Sequence, residues 1–300
     1  MKFLLSYFIG IIFIVSDFGC QPKLFPHTAF NKESTDSRGN LMLLGQCKRE
    51  RLQQKPFSDW FIKNYNDYVV DSSTADKLRP MMQGKHFVIF MGTWCGDSKR
   101  EVPRMFKIFD YCGIKSSQVD LIMLDNRDSA YKQSPDHEER GFNIHRVPDL
   151  IVFNDKKEIK RVVESPVVSI EKDLYAIING DMYTPNYKAI SFLIGLLNNK
   201  SSRDLENDLP ALTNQIKPLV SGPAELNTYG YVLMAAKQMD KAKCIFDLNT
   251  RLYPDDANVF DSFGEYYFKI GDKVHAKENY QKVLQLKPDN ENAKKMLGQL

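Results

Sequence analysis

Two folded regions of different class are what these 300 residues predict, an α/β region followed by an all-α region. Three observations carry that reading. The run His86-Phe87-Val88-Ile89-Phe90-Met91 is continuous, apolar and rich in β-branched and aromatic residues, as a buried central strand requires. Two further apolar runs, at 119–124 and 150–153, follow after a segment of helical spacing, so strands and helices alternate. The C-terminal third then repeats itself with a period of 34 residues.

Composition fits a folded chain and excludes several classes. Hydrophobic residues make up 43%, and 16 glycines with 14 prolines are too few for a collagen-like or low-complexity sequence. Charge is balanced at 41 basic against 38 acidic residues, and a net +3 gives no electrostatic footprint for nucleic acid. Five cysteines are too few for a disulfide scaffold, and without a paired CxxC and with only five histidines a structural zinc site is not expected. No cofactor is implied.

The chain opens MKFLLSYFIGIIFIVSDFGC. Lys2 is a minimal positive start, and 3–15 is apolar apart from Ser6 and Gly10. Such a stretch falls short of the ~20 apolar residues a spanning helix needs and suits a signal peptide over 1–19. Gly19-Cys20 after it resembles the lipobox of bacterial lipoproteins, which makes Cys20 the lipidated first residue of the mature chain. The lipobox prefers Leu where this sequence has Asp17, so an uncleaved anchor or another cleavage point is the alternative. Each version exports the protein, and the lipoprotein version places it in the bacterial cell envelope, facing the periplasm and held to the membrane through Cys20. Residues 20–45 mix polar residues, Pro and Gly without a period and read as a tether.

Residues 46–180 form the α/β region. Trp60, Phe61, Tyr65, Tyr68 and Val69 recur at helical spacing and predict a lead-in helix. The central strand at 86–91 ends in the turn Gly92-Thr93-Trp94-Cys95-Gly96-Asp97-Ser98, and 99–109 returns to helical spacing with Val102, Met105, Phe106 and Phe109 on one face. Arg146-Val147-Pro148-Asp149 leads into the strand at 150–153, and the polar turn at 154–157 predicts a hairpin with 159–163. His137, within Asp136-His137-Glu138-Glu139-Arg140, reads as solvated helix surface, and His145 as a loop or edge residue.

A strand, then Trp-Cys-Gly at a helix start, then Val-Pro before a strand some 50 residues on, resembles the thioredoxin superfamily. GTWCGDSKREVPRM is close to a form found in exported bacterial thioredoxin-like proteins. The resemblance covers about 85–165. It implies that Cys95 is the reactive thiol, shielded on one side by Trp94 and followed by Gly96, and that Val147-Pro148 is cis and packs beside the sulfur, leaving backbone free for a bound peptide. Elementary chemistry agrees, since a cysteine in the first turn of a helix meets unpaired N–H groups and a positive dipole end that favour its thiolate. Three departures matter. The family's second cysteine is Ser98, the proline between the cysteines is Asp97, and the buried acid six residues before the nucleophile is Ile89. The site is therefore a monothiol, with Ser98 able to donate a hydrogen bond to the Cys95 thiolate and Asp97 opposing that charge. Cys112, at the far end of a helix about 25 Å long by its rise, cannot resolve it. Cys244 packs as a small hydrophobe.

Units 223–256 and 257–290 align at Leu226/Phe260, Tyr229/Phe263, Gly230/Gly264, Leu233/Tyr267, Ala242/Ala276, Phe246/Tyr280 and Pro254/Pro288. This pattern resembles the tetratricopeptide repeat: the small pair lets two helices approach, the large residues fill the groove, and the proline ends the second helix. Asn249, opposite Val283, is its weak position. Residues 291–300 cap the array, and 181–222, with helical spacing at 187–197 and 205–219, form a degenerate helical linker. Lysines on the repeats are interleaved with acids and read as a solvated face.

Two readings follow. One is an exported thioredoxin-like monothiol redox protein (a thiol-disulfide oxidoreductase or isomerase without a resolving cysteine) in which Cys95, Ser98 and Pro148 do the chemistry and the repeats bind a protein partner. The other is a non-catalytic interaction module that binds peptides through the Pro148 groove and the repeat region.

Overall fold

The computed structural model of the chain describes residues 24–25, 30–36 and 38–300, so the leader expected over 1–19 and Cys20 lie outside the described residues. A mixed six-stranded sheet with helices comes first, and a helix-rich region follows it. Among the described residues no helix is long and apolar enough to cross a membrane.

The α/β region runs β1 (Lys32–Thr35), β2 (Leu41–Gln46), α1 (Arg49–Leu52), α2 (Ser58–Asp67), α3 (Ser72–Met82), β3 (Lys85–Met91), α4 (Gly96–Cys112), β4 (Val119–Met123), β5 (Asp149–Asn154), β6 (Lys157–Val163) and α5 (Ile170–Asn179). The sheet order is β1-β2-β4-β3-β5-β6. Only β3 and β4 pair in parallel, with Ile89 opposite Leu121, and α4 is the crossover that a parallel pair requires. β5 pairs antiparallel with β3 and with β6, which makes the expected hairpin.

Alternation along β3 sorts the core. Phe87, Ile89 and Met91 face a cluster built with α2, α3, α4 and α5, whereas Val88 and Phe90 face the other side. Among the described residues that second face carries no helix. Phe25, Ile144 and Val147 cover it, with Phe142, Trp94 and Cys95 packed at its edge.

The tether expected over 20–45 is partly sheet. β1 and β2 form a hairpin whose second strand joins β4 through Gly45 and Gln46, and Met42, Leu43 and Leu44 are buried. Polar residues at 32–36 and 38–40 hid the strand, because only β2 of the pair has a buried face to mark it.

α4 is longer than its apolar face suggested. It begins directly after Cys95 and ends at Gly113, whose φ of 73° permits the left-handed turn that closes a helix. Pro103 within it cannot donate to the Lys99 carbonyl, and Asn64 of α2 donates to that oxygen instead at 3.2 Å. A proline that would weaken a free helix here fastens α4 to α2.

The helical region contains α6 (Lys188–Asn199), α7 (Ser202–Asn207), α8 (Leu209–Ile216), α9 (Pro223–Ala235), α10 (Met239–Leu252), α11 (Ala257–Ile270), α12 (Lys273–Leu286) and α13 (Glu291–Leu297). It has its own apolar core, separate from those on the sheet. The helix expected over 205–219 is two, because Pro210 lacks the N–H that a helix interior needs and sits in the first turn of α8. Tyr231 donates to Glu265 at 2.8 Å, linking positions 34 residues apart. Asn249, the weak position of the pattern, is fully buried and donates to Asn227 Oδ1 at 2.7 Å and to the Pro223 carbonyl at 3.0 Å.

Two glycines make a comparative test of this packing. A Cβ on Gly230 would lie 2.6 Å from the ring of Phe246, itself hemmed in by Tyr231, Phe263 and Tyr266. On Gly264 the nearest ring atom, of Tyr280, is 3.1 Å away. Alanine gains about 1 kcal/mol over glycine within a helix, while overpacking costs about 1–3 kcal/mol. Gly264→Ala should therefore be near neutral and Gly230→Ala clearly destabilising in a thermal melt. Equal melting temperatures for the two variants would refute the close approach at Gly230.

Candidate functional site

The turn between β3 and α4 is held from several sides. Thr93 Oγ1 accepts from the Leu43 N–H at 3.2 Å, which ties the turn to β2. Trp94 donates its indole N–H to the Leu124 carbonyl at 2.8 Å, laying the ring over the end of β4. Gly92 is required by that ring, since a Cβ there would fall 2.4 Å from Trp94 Cε2.

Cys95 occupies the N-cap position of α4 in an extended backbone conformation, and its carbonyl accepts from Lys99. No side chain caps this helix end, so the first-turn N–H groups of Gly96 and Asp97 have no capping oxygen. Cys95 Sγ donates to the Val147 carbonyl at 3.2 Å. Val147-Pro148 is a cis peptide bond, and both residues are buried. The structure thus brings Pro148 to the turn of Trp94, Cys95 and Gly96, more than 50 positions earlier in the chain.

Ser98 and Asp97 differ from expectation. Ser98 is fully buried, and its Oγ accepts from the Gly92 N–H at 3.3 Å. The bond expected from Ser98 to Cys95 Sγ is not formed among the described residues; the hydroxyl instead closes the turn that carries the cysteine. Asp97 pairs with Arg100 at 2.8 Å, so its charge is compensated one helical turn along rather than left facing the thiol.

Of the four described cysteines only Cys95 is partly exposed. Burial pushes the thiol of Cys47 up to about 12 and that of Cys244 up to about 11, and it raises Cys112 as well. None of those three is a practical nucleophile at neutral pH.

Several charged groups on the loops beside this turn carry no sequence motif. Lys132, only 4% exposed, lies in the loop after β4 with its ammonium group 3.9 Å from the centre of the Tyr131 ring and 6.0 Å from that of Trp94. Desolvation, reinforced by Arg146, lowers its amine to about 7, while Cys95 and Glu164 act to hold its proton. Arg146 stacks 4.8 Å from the Tyr187 ring, stands 3.6 Å from Glu164 and donates to the Ala224 carbonyl at the start of α9. Tyr187 in turn hydrogen-bonds Glu164. The stretch 126–143 is polar and aperiodic, which is why sequence patterning passed over Lys132.

The reading of His137 needs correction, whereas His145 is the loop residue expected but a buried one. His137 has a φ of 57° and sits in an exposed turn rather than on a helix. His145 is buried, with Tyr187 and Tyr229 edge-on to its ring at 5.7 and 5.9 Å, so it lies where the helical region meets the sheet. Its burial beside Arg161, Arg146 and Lys132 lowers it to about 3. Nearby, a cavity of about 480 Å³ between 129–144 and the α9–α10 turn is lined by Lys132, Gln133, Arg140, Tyr229 and Lys237 among others.

Directly after Pro148, Asp149 is fully buried and pushed up to about 6 by desolvation, against the pull of Arg161 at 3.0 Å. Arg161 also binds Glu158 and the Phe142 carbonyl. This pair anchors the start of β5 and with it the carbonyl presented to Cys95. No cluster of three or more histidine, cysteine or acidic side chains able to hold a metal is found among the described residues.

Compared with known proteins, the chain matches no family model, and no curated protein sequence matches it.

Proposed function

We propose that the α/β region is a thioredoxin-like domain, that the helices from 223 onward are tetratricopeptide repeats, and that the chain is an exported monothiol redox protein acting on protein thiols and disulfides. The observation that carries this reading is the placement of Cys95: partly exposed, at the uncapped N-terminus of α4, with its sulfur 3.2 Å from the carbonyl preceding Pro148. In the proposed step the Cys95 thiolate attacks a partner disulfide, forms the Cys95–partner mixed disulfide and expels the partner's second sulfur as thiolate. An external thiol then attacks the mixed disulfide and releases Cys95 as thiolate. Attachment through Cys20 would hold the protein at the envelope membrane, with 223–300 as the surface for a protein partner.

The second reading, a non-catalytic interaction module, is supported by the contact of Arg146 with the first turn of α9, which brings the helical region to the edge of the Pro148 loop.

Trapping separates the two. Exposed to a peptide disulfide and quenched with acid, the wild-type protein should carry one adduct by mass at Cys95 and Cys95→Ser none. No adduct on wild type overturns the redox reading. Cys95 and residue 98 are the N-cap and N3 positions of α4, whose side chains neighbour one another. Ser98→Cys should therefore raise insulin-reducing turnover with dithiothreitol above a slow wild-type rate; robust wild-type turnover would contradict the monothiol account.

A further inference from the structure

We propose that the cavity between 129–144 and the α9–α10 turn is a binding site for a small organic anion, a carboxylate carried on a short aliphatic body. The site is separate from the redox reading, since no residue of the Cys95 turn lines it.

Its volume of about 480 Å³ falls within the ~300–1,000 Å³ of small-molecule pockets. The polar part of its lining is short of acceptors. Gln133 is 8% exposed, and its backbone N–H and carbonyl are both spent inside the loop, on the Ala130 carbonyl and the Asp125 N–H at 2.9 Å each. Its side-chain Nε2 is buried with no acceptor. Tyr229 is 1% exposed, and its hydroxyl makes no hydrogen bond among the described residues. Lys132, also buried, bonds only the Tyr131 hydroxyl and has no carboxylate within ion-pairing distance among the described residues. Buried donors left unmade are costly, and one ligand carrying acceptor oxygens can meet several together. The sign of its charge follows from the rest of the lining. Arg140 and Lys237 are exposed and form no ion pair among the described residues. Glu139 is the one carboxylate of the lining, and it is already taken by the Ser134 N–H at 2.9 Å, the Ser134 hydroxyl at 2.6 Å and His137 at 3.3 Å. The two oxygens of a single carboxylate accept about four hydrogen bonds, which matches this small set of donors. Ile144, Val232 and Leu233 add buried aliphatic surface, which suits an apolar body and gives nothing to a bare inorganic ion. Because Gln133 belongs to the loop after β4 and Tyr229 to α9, the ligand would be held by both regions of the chain.

The test is calorimetric titration of the full chain at pH 7 and constant ionic strength with octanoate, with octanol as the neutral body and inorganic phosphate as the bare anion. Octanoate should bind once per chain, and the other two at least tenfold more weakly. Gln133→Leu and Tyr229→Phe each remove a donor that has no protein partner, so their melting temperatures should not fall, while octanoate affinity should drop about tenfold. Arg140→Gln, in an exposed turn, should weaken octanoate several-fold and leave octanol unchanged. Cys95→Ser should bind as wild type does. Octanoate binding that ignores Gln133→Leu and Tyr229→Phe lies elsewhere and overturns the site. Octanol binding as tightly as octanoate removes the anion, phosphate binding as tightly removes the aliphatic body, and no binding by any of the three removes the site altogether.

Discussion

Arg161→Met should lower stability by about 3–5 kcal/mol, because it strips the counter-ion from a carboxylate that no water reaches. Asp149 is fully buried with its Oδ2 on Arg161 at 3.0 Å, and its Oδ1 has no partner. Desolvation already raises this acid to about 6 with the guanidinium present; without it the acid climbs further. The sign with pH follows. A raised acid holds its proton more tightly folded than unfolded, so its contribution is fully present below the unfolded value near 4 and is lost as pH rises through the folded value. Methionine at 161 should therefore cost more at pH 8, where ionisation of Asp149 is demanded, than at pH 5, where the acid stays protonated. Adding Asp149→Val should recover part of the loss, with the Phe142 carbonyl still lacking its donor. Urea unfolding at the two pH values measures this, and an equal cost at both would mean that the charge on Asp149 is not what Arg161 compensates. Cys95 alkylation in the same variant reports on the site, since Asp149 fixes the strand whose preceding carbonyl meets the sulfur.

Local chemistry and period made much of this molecule legible. The strand–cysteine–helix turn, the Val147-Pro148 step and the 34-residue spacing each leave marks at fixed positions: an apolar run, a glycine under an aromatic ring, a small residue where helices meet. What stayed hidden depends on long-range burial. β2 is buried on both faces, so its short apolar run shows no alternation, and it is seen as a strand only once it pairs with β4. Lys132 and His145 look like surface residues because their types usually are. They are buried because the loop after β4 folds back under the first helices of the C-terminal region, and no spacing rule encodes that. Asp149 and Arg161 sit 12 residues apart and meet because β5 and β6 are hairpin partners, with Ile151 opposite Arg161. The departures around Cys95 also change meaning in three dimensions. With Ile89 buried among apolar residues, β3 supplies no acid to the turn that carries Cys95.

The junction between the two regions should weaken in acid, and His145 is the reason. Its ring is enclosed by Tyr187 and Tyr229 with Nε2 unpartnered, and it is lowered to about 3 from an ordinary value of 6.5. A depressed base binds fewer protons folded than unfolded, so the stability is complete above about 6.5 and drains away as pH falls toward 3. The gap is worth on the order of 5 kcal/mol across that window. Asp149 acts in the opposite sense between about 4 and 6, stabilising the fold as it takes up its proton, but its displacement is the smaller of the two. The histidine therefore dominates, and net stability should drop between pH 7 and pH 4. His145→Phe fills the same space between the two tyrosines, removes the unpartnered nitrogen and cannot be protonated. It should leave stability at pH 7 close to wild type and exceed wild type by about 2 kcal/mol or more at pH 4. Because His145 touches α6 and α9 rather than the sheet core, the acid-sensitive event should be detachment of the helical region. Limited proteolysis at pH 4 should then cut wild type between α5 and α6 sooner than His145→Phe. Equal loss of stability in the two proteins from pH 7 to pH 4, with equal cutting, would place the acid sensitivity elsewhere in the chain.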